Sequence, residues 1–223
     1  MVLGQVRALS VRPNRSAPPL RVDSALALAD LGFDGDRHAD PLSPRQVLLA
    51  SAAVYDAFKL PAHALRENVL VDVDTASLTS GTILQLGAQA RIRLMFQCEA
   101  CGQLDLQRPG LARALGSRRG MLARVLTGGT VRMGDPVVQV DECLPAWLDD
   151  WRERVMAVLD AVPPGAVVGY AQLARLAGIQ ASYCRAFPRL LARLGPSYAN
   201  KAVPARSTSS AQRWDGAGLF DEV

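Results

Sequence analysis

Three short phrases of the sequence combine charged, amide and thiol side chains within otherwise apolar, strand-like segments. They are GFDGDRHAD (residues 32–40), LRENVLVD (residues 65–72) and CEACGQLD (residues 98–105). Polar groups near a core are costly unless they are paired or bind something, and charged groups in such places are typical of functional sites. The phrases therefore predict a ligand-binding site.

Spacing alone leaves two other chemistries open for the thiols. Cys98 and Cys101 are spaced like half of a zinc site, but the remaining cysteines and the histidines show no paired spacing that would complete it. A redox dithiol normally opens a helix that follows a strand, and this pair does not. The four cysteines are too few and too scattered for a disulfide scaffold, so we expect reduced thiols.

The elements that must position these residues change character near residue 144. Up to residue 141, short apolar runs with many β-branched residues alternate with Gly- and Pro-containing turns, which is typical of a β-barrel. Beyond that point apolar residues recur at helical spacing. The helices predicted in the first half are Ala52–Leu60 and Gly110–Gly116. In the second half one predicted helix runs from about Trp147 to Val162 and is ended by Pro163-Pro164-Gly165, and it is followed by Tyr170–Ala177 and roughly Ser182–Leu194. We predict an α+β protein, with a β-barrel domain over residues 1–143 and a small helical domain over residues 146–223.

Charge also divides the chain. The net charge is only +4, yet the segment from Ala161 to Arg213 holds six arginines and one lysine, a local +7, and no Asp or Glu. Such a one-sided distribution favours a polyanionic partner, although a solvated helix face would look the same. No stretch approaches the ~20 apolar residues of a membrane span, and no apolar signal segment opens the chain, so we expect a cytoplasmic protein without a membrane partner.

The first 140 residues resemble the MOSC domain. The resemblance rests on the three phrases in order, followed by Arg118-Arg119-Gly120, Ala123-Arg124-Val125-Leu126 and Gly128-Gly129. That family has a β-barrel fold, and its best-known members bind the molybdenum cofactor, molybdopterin. Some members reduce N-hydroxylated bases and amidoximes, and others are fused to proteins that handle sulfur.

The resemblance implies a set of site residues. Cys101 would be the catalytic residue and the molybdenum ligand, because a soft thiolate suits such a centre better than a hard carboxylate. Polar and basic side chains would hold the pterin and its phosphate, with acidic residues orienting them or forming a salt bridge between strands, and glycines would allow close backbone approach. These cofactor-binding candidates are Asp36, Arg37, His38, Arg45, Arg66, Glu67, Asn68, Thr127, Gly128 and Gly129.

The second half resembles the DNA-binding domain of O6-alkylguanine-DNA alkyltransferases and alkyltransferase-like proteins. The motif comprises Pro163-Pro164-Gly165, Val168, Tyr170, Leu173-Ala174, Gly178 and Arg185. The resemblance implies a winged-helix-like domain that binds double-stranded DNA. Tyr170 would press on a phosphate, and Arg185 would fill the gap left by a flipped nucleotide. The implied DNA-binding residues are Tyr170, Arg185, Arg189, Ala205 and Arg206.

The alkyltransferase chemistry itself is absent from this half. Ala205 stands where those enzymes carry the nucleophilic cysteine, and no histidine follows His63. Alkyltransferase-like proteins also lack the cysteine. Pro188 within the expected recognition helix departs from the pattern, since an interior proline costs ~3 kcal/mol. We therefore expect no alkyl transfer, and a module retained only for packing is an alternative.

The combined sequence hypothesis is a molybdenum-dependent oxidoreductase, and the DNA-binding domain fused to it suggests a role in DNA repair. It would reduce N-hydroxylated bases or related compounds with electrons from a donor protein. Two alternatives come from other classes of protein. One is a non-enzymatic adaptor that binds DNA lesions, and the other is a carrier of sulfur or of the molybdenum cofactor.

Overall fold

A computed structural model describes residues 1–221 of the protein. The chain divides into two compact units. The first comprises Met1–Pro41 and Arg45–Trp147, and the second comprises Leu42–Pro44 and the chain from Leu148 onward. No helix in the described part of the chain is both long and apolar enough to cross a membrane.

The first unit is built on a closed barrel. Its strands are β1 (Val2–Val11), β2 (Leu20–Val22), β3 (Ser24–Leu28), β4 (Gly32–Phe33), β5 (Val47–Ser51), β6 (Val69–Val71), β7 (Thr82–Leu86), β8 (Ala90–Gln97), β9 (Met121–Thr127), β10 (Gly129–Arg132) and β11 (Pro136–Cys143). Within residues 1–221, seven of them close in the order β11-β7-β8-β9-β5-β6-β1, with β1 pairing back to β11. Neighbours are antiparallel except β5 and β6, which are parallel. The prediction of an α+β protein with an amino-terminal β-barrel is confirmed.

The strand β5 separates two apolar layers. Successive side chains of a strand point to opposite faces, so Leu49 packs inside the barrel while Ala50 faces an outer cluster. The helices of this unit are α1 (Ala52–Phe58) and α2 (Leu111–Leu115), each somewhat shorter than predicted. The outer cluster also buries Leu104, which is 2 % exposed. Because burying one leucine contributes about 1.5–3 kcal/mol, this layer fixes the cysteine loop against the barrel wall.

The second unit combines helices with a small sheet. Its elements are α3 (Trp151–Ala161), β12 (Ala166–Gly169), α4 (Tyr170–Leu176), a 3-10 helix (Ala181–Arg185), α5 (Phe187–Leu194), α6 (Pro196–Ala199), β13 (Ala202–Val203) and β14 (Gln212–Arg213). Both short strands pair parallel to β12. The sequence prediction of a helical domain missed this sheet, because strands of two to four residues are too short to show a periodicity. The winged-helix-like arrangement stays a prediction.

The helical stretch predicted over roughly Ser182–Leu194 is present, but it is divided into two helices, so that Pro188 is not in a helix interior. The structure ends a 3-10 helix at Arg185 and starts α5 at Phe187, so that Pro188 lies in the first turn of α5. A proline there loses no helical hydrogen bond, because the first amides of a helix have no intrahelical acceptor. The proline therefore marks where the helix begins and does not break it.

Candidate active site

Asp36 is the hub of a polar cluster on the first unit. Its carboxylate, whose side chain is only 1 % exposed, accepts four hydrogen bonds. The donors are the Arg12 amide at 2.8 Å, the His38 amide at 2.8 Å, His38 Nδ1 at 2.9 Å and Asn68 Nδ2 at 2.9 Å. Burial alone would raise the pKa of Asp36, but the hydrogen bonds from His38 and Arg12 outweigh it and lower the pKa. A charged carboxylate thus joins β1, the GFDGDRHAD loop and the LRENVLVD loop.

Three further arginine side chains lie close enough to Arg12 to repel its charge. The Arg12 guanidinium lies 3.4 Å from His38 Nε2, and Arg37 Nη1 lies 2.9 Å from the same nitrogen. The pKa of Arg12 is lowered, first by burial and then by repulsion from Arg37, Arg66 and, more weakly, Arg119. Asp36 opposes this shift but does not cancel it. The cluster therefore carries an excess of positive charge, as an anion-binding site does.

Cys101 lies beside one of these arginines. Its Sγ is partly exposed and accepts a hydrogen bond from Arg119 Nη1 at 3.4 Å, while the same nitrogen donates to the Glu99 carbonyl at 2.6 Å. The Arg119 Nε is buried and has no hydrogen-bond partner among the described residues. An unsatisfied buried donor costs about 1–3 kcal/mol or more, so a ligand that accepts from it would be favoured.

Cys98 has a different environment. It is buried, its amide donates to the Gly120 carbonyl at 2.8 Å, and its Sγ lies 3.9 Å from Arg45 Nη2. The structure therefore places Arg45 beside Cys98, and Cys101 is the more accessible of the two thiols. Within residues 1–221, no three side chains among His, Cys, Asp and Glu are grouped to hold a metal ion. A metal held by Cys101 would need its other ligands from a cofactor.

Arg66 ties the second polar phrase to the third. Its Nη1 donates to Gln103 Oε1 at 3.0 Å. Its φ is +58°, and that of nearby His63 is +59°, a left-handed conformation uncommon outside glycine. Residues held in this region often cluster at ligand-binding sites, where the surrounding structure offsets the strain. The guanidinium itself is exposed and can reach a ligand.

Glu67 and Asn68 face inward from the same turn. Glu67 accepts a hydrogen bond from the Tyr55 hydroxyl at 2.6 Å, and His63 Nδ1 lies 3.7 Å from its other oxygen. Burial raises the pKa of Glu67, although the bond from Tyr55 opposes that shift. Asn68 accepts from the Leu48 amide at 3.0 Å besides donating to Asp36. Both side chains thus position the loop, and their contacts are internal to the protein.

The Thr127–Gly129 segment, predicted to bind the cofactor, packs against neighbouring strands and not at the arginine cluster. Thr127 ends β9 opposite Arg91, and the two glycines continue into β10. A Cβ on Gly128 would lie 3.0 Å from the Ala27 carbonyl oxygen, and one on Gly129 would lie 2.9 Å from the Ala90 amide nitrogen. Close contact between strands therefore accounts for both glycines. None of these contacts leads to the arginine cluster.

Two residues of the cluster, Arg12 and Arg119, were not among the predicted site residues. Arg119 belongs to the Arg118-Arg119-Gly120 segment, so its position in the motif was a usable signal. Arg12 follows β1 with no motif around it, and only the folded chain shows that it is 8 % exposed and beside Asp36. A buried arginine next to a carboxylate is the kind of signal that sequence spacing does not carry.

The predicted DNA-binding residues of the second unit occupy different places. Arg185 and Arg189 line one groove, whereas Ala205 and Arg206 are exposed in the turn after β13. Tyr170 is half-buried and packs edge-on against Phe187, with ring centroids 5.4 Å apart. Burial raises the pKa of the Cys184 thiol, which donates to the Tyr170 carbonyl at 3.5 Å.

Comparison with known proteins identifies the class of the first unit. The family model for the MOSC domain matches residues 34–138, a range that includes all three polar phrases except two residues. The first unit therefore contains a MOSC domain, and this family is linked to the molybdenum cofactor. No curated protein matches the sequence significantly.

Two solved structures with TM-scores above 0.5 show a similar fold at low identity. The YuaD protein from Bacillus subtilis is 20 % identical, with a TM-score of 0.52 over 60 % of this chain and 93 % of its own. A hypothetical protein is 19 % identical, with a TM-score of 0.52 over 85 % of this chain and 90 % of its own. YiiM from Escherichia coli is 19 % identical, with a TM-score of 0.48 over 83 % of this chain and 91 % of its own. These comparisons give no support for the alkyltransferase-like module, which stays a prediction.

Proposed function

We propose that the MOSC unit binds the molybdenum cofactor at the arginine cluster and removes oxygen from N-hydroxylated substrates. The observation that carries this proposal is the pair of Arg12 and Arg37 on His38, close to Arg66 and Arg119, with Arg119 donating to the Cys101 sulfur. Asp36 already accepts four hydrogen bonds, so it leaves most of this positive charge uncompensated. An anionic ligand would complete the site.

The donors present fit a phosphorylated pterin. Planar guanidiniums bind phosphate oxygens through paired hydrogen bonds, and Arg37 and Arg66 are exposed enough to do so. Arg119 offers the buried Nε that no described residue uses. Cys101 supplies a soft sulfur ligand beside these cations. Asp36, His38 and Asn68 would hold the arginines in place, in the manner of second-sphere groups at metal sites.

The cofactor, when bound, would supply a metal that takes up an oxygen atom and passes on electrons. The protein's own residues would anchor it through Cys101 and orient it through the arginines. The overall reaction is R–NH–OH + 2 e⁻ + 2 H⁺ → R–NH₂ + H₂O, in which the N–O bond breaks and the oxygen leaves as water. The electrons would come from a donor protein and the protons from solvent.

Metal and pterin analysis tests the binding step. Protein produced in cells that make molybdopterin should contain molybdenum and pterin, and Cys101→Ser should lose the molybdenum because a hydroxyl is a poor substitute for a thiolate. Cys98→Ser is the matched control, since its sulfur is buried beside Arg45. Protein that holds neither molybdenum nor pterin, or equal metal loss in both variants, would contradict the proposal.

A second measurement separates an enzyme from a carrier. The loaded protein is incubated with an amidoxime or an N-hydroxylated base and reduced methyl viologen, and the product, an amidine or the amino base respectively, is measured. Turnover that Cys101→Ser abolishes supports the oxidoreductase. Bound cofactor without turnover, followed by its transfer to an apo-enzyme that needs it, would identify a cofactor carrier instead.

A further inference from the structure

A groove on the second unit combines four arginines with one aromatic ring. It has a volume of about 510 Å³ and lies between the start of α3 and the outer side of α5. Its lining residues are Trp151, Arg152, Arg185, Arg189, Leu190 and Arg193, together with Ala186. Only Arg185 and Arg189 were among the predicted DNA-binding residues. Tyr170, Ala205 and Arg206 do not line the groove.

The charge of this groove is almost entirely unopposed. Of its lining residues none is acidic, and the chain between Ala161 and Arg213 contains no Asp or Glu. One carboxylate stands at the rim, where Asp150 lies 3.5 Å from Arg152 Nη1. That pair is about half exposed, so it neutralises little at physiological salt. Four like charges in one concave surface attract an anion with several negative charges.

Two of the groove arginines lie on one face of α5, with a third just before that helix. Arg189 and Arg193 are one helical turn apart on α5, which separates them by ~6 Å along the axis, and Arg185 precedes them in the 3-10 helix. The opposite face of α5 is anchored, because Phe187 and Leu191 are buried. A row of cations on a fixed helix face matches a linear chain of phosphates better than a single compact anion.

The aromatic ring in the groove is already engaged. The Arg152 guanidinium lies over the Trp151 ring at 4.7 Å from its centroid, and Tyr183 packs edge-on with centroids 5.0 Å apart. Single-stranded nucleic acids are usually held by bases stacking on free aromatic faces. This groove offers four arginines and a single aromatic ring over which Arg152 already lies, so it favours a duplex, whose bases are already stacked.

We propose that this groove binds the phosphate backbone of duplex DNA without regard to sequence or damage. Phosphate contacts position a protein on DNA and carry no sequence information themselves. In this arrangement Arg185 is one of several backbone-binding cations and does not act alone as a residue that replaces a flipped base. The inference is independent of cofactor binding in the first unit.

The test measures the affinity of the full chain for a fluorescent duplex of mixed sequence over a range of salt. Arg189→Gln and Arg193→Gln should each reduce the slope of log K against log[salt] by about 0.9, and reduce affinity roughly eightfold at ~0.1 M salt. Arg213→Gln is the matched control, because it removes the same charge from an exposed position of the same unit that lies outside the groove. It should leave the slope unchanged.

Several results would overturn the proposal. Equal effects of Arg189→Gln and Arg213→Gln would mean that DNA binding depends only on the overall charge of the unit. No binding at ~0.05 M salt would mean that the groove has no such partner. Tighter binding to a single strand of equal length would mean that the partner of the groove is single-stranded nucleic acid and not a duplex. Cys101→Ser protein should bind the duplex like wild type, so failure of the cofactor proposal would remain distinguishable.

Discussion

Replacing Asp36 with asparagine should destabilise the first unit more than any other single-atom change in the polar cluster. The carboxylate accepts from four donors, two of them main-chain amides. An asparagine has one carbonyl oxygen and an NH₂ group, so it can keep about two of these bonds and turns a donor toward the others. Each lost bond to a charged acceptor costs about 1.5–3 kcal/mol.

We therefore expect Asp36→Asn to lower the free energy of unfolding by about 3 kcal/mol at neutral pH, the low end of that sum because the loop can relax. Urea unfolding followed by far-UV circular dichroism measures this change. Asp34→Asn is the control, since Asp34 is exposed two residues away. A loss below about 0.5 kcal/mol, the range of ordinary surface substitutions, would refute the role of Asp36 as a hub.

The same hydrogen bonds determine how the contribution of Asp36 to stability depends on pH. Because the folded-state pKa of Asp36 is lowered, its contribution is present above the unfolded-state pKa and is lost as pH falls through the folded-state value. The difference in stability between wild type and Asp36→Asn should therefore shrink as the pH is lowered below about 4, near the ordinary aspartate pKa. A difference that stays constant down to acid unfolding would show that the charge of Asp36 does not matter.

Three further predictions follow from buried groups. The raised pKa of Glu67 means that wild type loses stability as pH rises through that pKa, so Glu67→Gln, which can still accept from Tyr55, should flatten this dependence in urea unfolding. Arg154 is 2 % exposed and donates to the carbonyls of Leu148, Asp149 and Ala177. Arg154→Ala should therefore lower the unfolding free energy by about 3–5 kcal/mol. Arg152 is exposed, so Arg152→Ala should change the unfolding free energy by less than about 1 kcal/mol. Cys184 should gain no methyl group from O6-methylguanine DNA, because burial raises the pKa of its thiol, and intact-mass spectrometry showing an adduct of about 14 Da would contradict this.

Local sequence patterns were sufficient for the barrel's main strands. The apolar runs beginning at Val2, Arg45 and Ala90 contain β1, β5 and β8, because alternation and β-branched residues reflect a wall with one face buried. They did not reveal β3, whose Ser-Ala-Leu-Ala-Leu run has small residues, nor the ring closure between β1 and β11. Pairing between strands more than a hundred residues apart depends on the folded topology.

The candidate site was predictable in part, for a related reason. The loop containing Asp36 and the loop containing Asn68 were identified as parts of a site, and the structure joins them by a direct hydrogen bond of 2.9 Å. The Thr127–Gly129 segment looked equally suitable, because glycines allow close approach of any atom. The structure shows that neighbouring strands occupy that space. Sequence reveals that a glycine is needed, but not what approaches it.

Two kinds of buried arginine in this protein show why the cluster points to a ligand. Arg154 is surrounded by carbonyl oxygens of its own unit, which satisfy the guanidinium and leave it a structural role. Arg119 is also buried, yet its Nε has no described partner, and its charge adds to the repulsion on Arg12. Among the described residues, the Nε of Arg93 is likewise buried and unsatisfied, so that feature alone does not mark a ligand site. Arg119 is distinguished by its hydrogen bond to the Cys101 sulfur and by the arginines around it, and in our proposal an anion bound beside Cys101 would supply the acceptor that its Nε lacks.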